Sequence, residues 1–202
     1  PRSRPDLQQV DEAVKILKTA KKPLIISGGG VRYSGAVEAL VKFSEDRMIP
    51  VAETIAGKGA FVHDHPFYVG AIGIEGTDAA KELAENADVI IAVGTRLQDF
   101  TTGSWTTFRY DAKFININTA RFDAKKHFSN PIVGDALECL NELNSRMEDW
   151  VCDTNRIEEA RKLYANWNEM IDKGQAPTNA SVPSYAQVIA VVNKHAKPQD
   201  TM

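Results

Sequence analysis

Only two cysteines occur in 202 residues, Cys139 and Cys152, and neither belongs to a Cys-x-x-Cys pair or to a metal-ligand spacing. That argues against a zinc site or a redox pair, and both are expected to be ordinary thiols packed as small apolar residues. An excess of positive charge is also missing: 24 Lys and Arg face 27 Asp and Glu, for a net charge of -3, with no long basic run. Without such a field to neutralise phosphates, nucleic acid is not an expected partner. Nor does any apolar run approach the ~20 residues of a membrane helix, and the start lacks a basic stretch followed by an apolar core. No membrane contact is expected, and the expected address is cytoplasmic. Finally, there is no Ser-centred elbow, no catalytic Cys and His pairing and no complete P-loop. His63-Asp64-His65 lacks a third distant ligand and runs into Pro66, so a surface loop is expected rather than a metal site. His127 and His195 stand near the ends of helical patterns, where an imidazole interacts favourably with the dipole, and neither is assigned chemistry. No catalytic and no metal-binding residue is therefore assigned within this chain.

What is present is the composition of an ordinary globular protein, 43% hydrophobic and 25% charged. The length suits one domain and part of another, given that domains usually run to about 100–150 residues. The chain begins Pro1-Arg2-Ser3-Arg4, and ends at Asp200-Thr201-Met202 just after a helical pattern and a Lys197-Pro198 breaker. Those ends read as cuts within a longer protein.

Pro5 and Asp6 open a helix with Leu7, Val10, Val14 and Leu17 on one face, ending near Lys21-Lys22-Pro23. Leu24-Ile25-Ile26 reads as a buried strand leading into Gly28-Gly29-Gly30. A helix carrying Val37, Leu40, Val41 and Ser44 follows, then strands beginning at Ile49 and at Phe67. Ala80, Leu83, Ala84 and Ala87 line another helix before Val89–Val93, the strongest strand of the chain. Phe114–Ile117 and Ile132-Val133 supply two more strands, and Leu137, Leu140, Leu143 and Met147 a closing helix. Alternation of this kind predicts an α/β fold: a doubly wound, Rossmann-like, six-stranded parallel sheet over residues 5–148, with helices on both faces. Ile157, Ala160, Tyr164, Trp167 and Ile171 then mark a long amphipathic helix, followed by a polar linker from Pro177 to Pro183. Residues 149–182 are read as interdomain helix and linker. A further helix with Tyr185, Val188, Ile189 and Val192 opens a second domain in 183–202.

Several features bear on ligand binding. Gly28-Gly29-Gly30 lies between strand and helix, where backbone N–H groups can approach a pyrophosphate, but Tyr33 stands where the dinucleotide fingerprint has its third Gly. A tight turn explains the triplet as well. Glu53 ends the second strand at about the ~20-residue distance of a ribose-binding acid. Gly94-Thr95-Arg96 ends the central strand; Arg96 either pairs with a phosphate or carboxylate ligand or makes a structural ion pair. The polar stretch Thr101–Trp105 after it either covers a ligand or packs against a neighbouring domain.

The order and spacing of Gly57-Lys58-Gly59-Ala60-Phe61, His65-Pro66, Gly70-Ala71-Ile72-Gly73, Gly76-Thr77, Ala87-Asp88 and Gly94–Asp99 resemble the middle domain of thiamine-diphosphate enzymes of the acetolactate synthase type. Phe114–Asn118 and Ile132–Ala136 extend the likeness, which runs from Leu7 to Leu143, and Ser184–Ile189 resembles the entry into that family's diphosphate-binding domain. Glu53-Thr54, Ala56–Gly59 and Thr95–Ser104 are most similar to a branch that hydrolyses a carbon–carbon bond in a trihydroxylated cyclic 1,2-diketone during myo-inositol catabolism. The resemblance implies a cofactor that adds to a carbonyl, takes up the electrons of the cleaved bond and releases an acid once water enters. Thiamine diphosphate and magnesium would be held outside this piece, since the family's activating Glu precedes it and its Gly-Asp-Gly metal motif follows it. Partners implied are the cyclic diketone, the other domains of the same chain and further copies in a dimer or tetramer.

Some relatives hold FAD or another adenine nucleotide at positions matching Gly28, Gly29, Gly30, Gly94, Thr95, Arg96, Asn116, Asn118, Gly134 and Asp135. Here Asn116 and Asn118 replace the usual Asp, and Thr119 the usual Pro, so a ribose loses a carboxylate acceptor. Two alternatives stay open: an acetolactate-forming or decarboxylating enzyme of the same family, and a non-catalytic adenine-nucleotide-binding module.

Overall fold

A computed structural model of the chain describes residues 1–197 and 200. The breaker expected at Pro198 and the terminal Thr201-Met202 lie outside the described residues. Two compact units are present, the first spanning Pro1–Tyr164 and the second beginning at Ala165.

In the first unit Asp6 caps helix α1 (Leu7–Leu17), accepting a hydrogen bond from Gln8 N at 2.9 Å. The helix stops earlier than its sequence pattern suggests. The N–H groups of Lys21 and Lys22 donate to the Asp88 carboxylate at 2.7 and 2.8 Å, which holds this stretch in a turn. Strand β1 (Pro23–Ser27) leads through Gly28 into a short helix α2 (Gly29–Tyr33), followed by α3 (Val37–Arg47). Strand β2 (Val51–Glu53) starts later than Ile49, because Met48 turns left-handed at φ 55° and Ile49 N–H bonds back to Ser44 O at 3.0 Å. Next come β3 (Tyr68–Ala71), α4 (Asp78–Glu85) and β4 (Val89–Val93). The polar stretch Thr101–Trp105 begins inside a short helix, α5 (Asp99–Thr102). Strand β5 (Lys113–Asn118), helix α6 (Arg121–Ala124), β6 (Asn130–Val133) and α7 (Ala136–Arg146) follow, and α8 (Asn155–Gln175) begins in this unit.

As expected, the six strands form one parallel sheet, in the order β3-β2-β1-β4-β5-β6. Alternate residues point to opposite faces, so each of β1 to β5 feeds two cores. On one face Ile25, Val51, Ile91, Ile115 and Ile132 pack against α1, α3 and α7. On the other Leu24, Ile26, Ile90 and Ala92 pack against α4, with Phe108 and Ala160 beyond it. Burying an Ile or Leu side chain stabilises by about 1.5–3 kcal/mol, which explains why the strands read as unbroken apolar runs.

Two buried arginines tie the helices down. Arg47 donates to the carbonyls of Glu148 and Trp150 at 2.7 and 2.9 Å, satisfying chain that α7 leaves behind. Arg156, at the start of α8, donates to Leu83 O at 3.0 Å and Pro23 O at 3.3 Å.

Cys139 and Cys152 are free and buried. Burial pushes the Cys139 thiol up to about 12 and the Cys152 thiol to about 11. Thiolate is the reactive form, so both cysteines are expected to ignore a disulfide reagent at pH 8 and to react fully once the chain is unfolded in guanidinium. Rapid labelling of either in the folded protein contradicts this.

In the second unit α8 continues to Gln175, and Ser184 caps helix α9 (Tyr185–His195) through a capping box with Gln187. Tyr185, Val188, Ile189 and Val192, the apolar face read from the sequence, are exposed.

Candidate functional site

The strand order reverses at β1: β2 and β3 lie to one side, β4, β5 and β6 to the other. In open parallel sheets the crossovers leave in opposite directions at such a point and leave a crevice beyond the strand ends, where ligands bind. A groove occupies that position. One half, 210 Å³, is bounded by Gly29, Thr54, Thr95, Arg96, Phe100 and Thr101. The other, 230 Å³, is bounded by Ser34, Asn118, Thr119, Gly134 and Asp135. Gly30, Tyr33 and Gly94 border both halves.

The glycines are explained by packing of backbone on backbone. A Cβ on Gly28 would sit 2.4 Å from Gly94 O, and one on Gly30 2.7 Å from Gly94 Cα. Gly94 itself has a φ of +61°, which favours glycine. Of the N–H groups in the triplet, Gly28 donates to Val93 O and Gly30 to Gly94 O, at 2.8 and 3.0 Å. They are therefore engaged, and this turn is built as a close strand-to-helix contact.

Of the ten residues singled out from the sequence, Gly29, Gly30, Gly94, Thr95, Arg96, Asn118, Gly134 and Asp135 line the groove. Gly28 lies behind it. Asn116 is fully buried within β5, its amide donating to Asp123 O at 2.9 Å and its Oδ1 lacking a partner. Asn118 donates to Thr95 O at 3.0 Å and accepts from Ala120 N at 2.9 Å, so it shapes the turn after β5. Asp135 caps α7 through Leu137 N and pairs with Arg2 at 2.8 Å. Arg96 is exposed at the mouth; its guanidinium reaches Gln98 Oε1 at 3.5 Å, its carbonyl accepts from Lys126 at 3.5 Å, and among the described residues it makes no ion pair.

Glu53 does something other than the ribose role. Its carboxylate is 1% exposed and accepts from Gly59 N at 3.1 Å and Phe61 N at 2.8 Å, anchoring the loop that carries Gly57-Lys58-Gly59. Trp105 does not cover the groove: it packs inward on Phe108, Phe114 and His127, with its ring 3.4 Å from the His127 ring. His65 bonds Glu45 and the Phe67 N–H, each at 3.2 Å, and the described residues contain no cluster able to hold a metal.

The sequence reading missed three residues. Tyr33 is 94% exposed and stands between the two halves of the groove, while Ile55 and Phe100 flank one half with exposed apolar surface. Tyr33 had a signal, since a bulky residue replaces glycine in the turn, but Ile55 and Phe100 reach the groove only through loops whose course the sequence pattern does not reveal.

Fold and groove together define an open, doubly wound α/β domain with a crevice at its switch point. The chain belongs to the thiamine pyrophosphate enzyme family: the model of that family's central domain matches residues 10–143. It is similar to 3D-(3,5/4)-trihydroxycyclohexane-1,2-dione hydrolases, with 42% identity over 163 residues to that of Clostridium perfringens, covering 80% of this chain and 26% of the relative. Identity is 43% over 173 residues to the Geobacillus thermodenitrificans protein (85% and 26%) and 43% over 167 residues to that of Bacillus subtilis (82% and 26%). The chain thus spans about a quarter of the length of these curated relatives.

Proposed function

We propose that this chain is the middle domain of a thiamine-diphosphate-dependent hydrolase that opens the ring of trihydroxycyclohexane-1,2-dione. The observation that carries the reading is the identity of 42–43% with hydrolases of that name over four-fifths of the chain or more. In this reading residues 5–148 are the middle domain, 149–182 the interdomain helix and linker, and 183–202 the entry to the diphosphate-binding domain. The exposed apolar residues of α9 support the last assignment, as such a face is stable when other chain covers it.

Thiamine diphosphate, with magnesium, supplies the electron sink for carbon–carbon cleavage, and its binding residues belong to the flanking domains. This chain contributes a scaffold. The groove holds Arg96 and several threonines on one half, while Asp135 on the other half is engaged as the cap of α7 and with Arg2. Two of the three glycine N–H groups are engaged within the turn, Gly28 with Val93 O and Gly30 with Gly94 O, so the triplet does not present the full set of donors that a dinucleotide pyrophosphate meets in the usual way. No step is assigned to a flavin. What the groove offers is the Arg96 guanidinium, which makes no ion pair among the described residues, on a lining that also carries the exposed Tyr33 and Phe100; this supports binding of a single anionic group such as a nucleotide phosphate. The working protein is proposed to be a cytoplasmic homo-oligomer whose partners are the cyclic diketone and its own domains.

The test is turnover of trihydroxycyclohexane-1,2-dione by the full-length protein, with and without thiamine diphosphate and magnesium. Ring opening that stops when either is removed is expected. Turnover of pyruvate in its place would move the protein to the acetolactate-forming branch, and no thiamine-dependent activity would overturn the reading.

A further inference from the structure

The segments leaving the carboxyl ends of β1, β2, β3 and β4 each present a large apolar side chain to solvent soon after the strand: Tyr33, Ile55, Ile74 and Phe100, all 64% exposed or more. None of the four belongs to either core of the sheet, so packing within this domain does not account for them. They form one patch. Tyr33, Ile55 and Phe100 border the same half of the groove, and the Ile74 N–H donates to Phe100 O at 2.9 Å. Phe122 after β5 extends it, since Lys126 lies 5.3 Å from that ring and reaches Arg96 O at 3.5 Å. A contiguous apolar surface of this kind marks a place where other protein is seated.

The chain enters the first unit at this same end. Arg2 donates to Ser34 O, next to Tyr33, and pairs with Asp135 at 2.8 Å, while Ser3 O accepts from Asp135 N at 2.9 Å. Ser34 and Asp135 both border the groove, so whatever precedes Pro1 is delivered onto its rim. The departing helix takes another course. Arg156 at the start of α8 donates to Pro23 O, at the amino end of β1, and Tyr164 packs edge to face on Tyr68 of the edge strand β3, with centroids 5.6 Å apart. Chain leaving the first unit is therefore not aimed at the apolar patch.

We propose that the ring of Tyr33, Ile55, Ile74 and Phe100 is the seat of the domain that precedes Pro1 in the same polypeptide, which meets it with an apolar surface of its own; this rests on the middle-domain reading given above. The 26% of the relatives' length that this chain spans leaves ample chain to supply that cover. Seating the domain there also roofs the groove. Water is removed from around Arg96, which lines the groove inside the ring, and its attraction for an anion is strengthened by the lower local dielectric.

The full-length protein carries the experiment. Ile55→Cys and Ile74→Cys, at positions whose side chains make no core contact, should each react with a maleimide about ten-fold more slowly in the folded protein than in guanidinium, as access controls the rate. Benzoylphenylalanine in place of Phe100 then identifies the cover, in protein assembled from mixed nitrogen-14 and nitrogen-15 copies. Photolysis is expected to join position 100 to a peptide that precedes Pro1 and carries the same isotope. The proposal is overturned by labelling at the unfolded rate at both cysteines, by a cross-link to chain that follows Met202, by a mixed-isotope cross-link to a second copy, or by no cross-link. Thiamine-dependent turnover alongside any of these results overturns the seat alone. A full-length protein with no domain before Pro1 overturns the middle-domain reading itself.

Discussion

Gly94→Ala is expected to destabilise the chain by about 4 kcal/mol, combining the ~1–2 kcal/mol of a left-handed backbone with the ~1–3 kcal/mol of overpacking. Gly94 ends β4 at a φ of +61°, and its added Cβ would lie 2.7 Å from Gly30 Cα and 2.8 Å from Val31 N. Both neighbours are backbone, so no flexible side chain can move aside. The turn after β1 would have to retreat from the turn after β4, and Gly30 and Gly94 border both halves of the groove. The loss is therefore expected to be accompanied by weaker binding of any groove ligand. Urea unfolding followed by circular dichroism measures the first effect. Gly174→Ala is the control: nothing lies within 4 Å of its Cβ and it sits in α8, where alanine favours helix by up to about 1 kcal/mol. A Gly94→Ala midpoint within error of that control would show that the two turns are not in the close contact described.

Glu53→Ala is expected to cost at least about 3 kcal/mol, because it strands two backbone donors, those of Gly59 and Phe61, and a buried unpaired polar group costs about 1–3 kcal/mol. Glu53→Gln should cost less than the alanine variant, since it keeps the shape and one acceptor while turning an amide NH₂ toward a backbone N–H. The two losses can be located by hydrogen exchange. Phe61 N–H is buried in its bond to Glu53, so its protection should collapse in the alanine variant while that of the β4 amides falls only with global stability. Unchanged protection at Phe61 would mean that the Gly57–Phe61 loop is held by something other than Glu53. Arg32 is the other tie, donating to Lys58 O at 3.0 Å.

Much of the fold was legible because a parallel sheet covered on both faces demands continuous apolar strands. Leu24-Ile25-Ile26 and Val89–Val93 could be little else. Strand and helix ends were less legible, and each discrepancy has a distant cause. Helix α1 ends where Asp88 captures two N–H groups more than sixty positions away in the chain. Strand β2 is delayed by the left-handed Met48, which no local pattern announces. Within the site, the glycines and Arg96 were legible as a strand-end cluster, whereas Asn116 was misplaced by one step of strand alternation: its neighbours Ile115 and Ile117 point into one core and its own side chain into the opposite face.

Local periodicity and composition by themselves determined the class of this protein: alternating strands and helices, one parallel sheet, and no basic field or membrane-spanning run. Those properties depend on residues close in sequence, whose spacing dictates which faces must be buried. Only the tertiary structure decided what the polar residues do. Glu53 became the anchor of a loop and the floor of a cavity, while Arg96 came to stand exposed at a groove, with no ion pair among the described residues. A carboxylate or guanidinium has the same identity in either role, and its function is set by which N–H groups, carbonyls and rings the fold brings within a few ångströms of it.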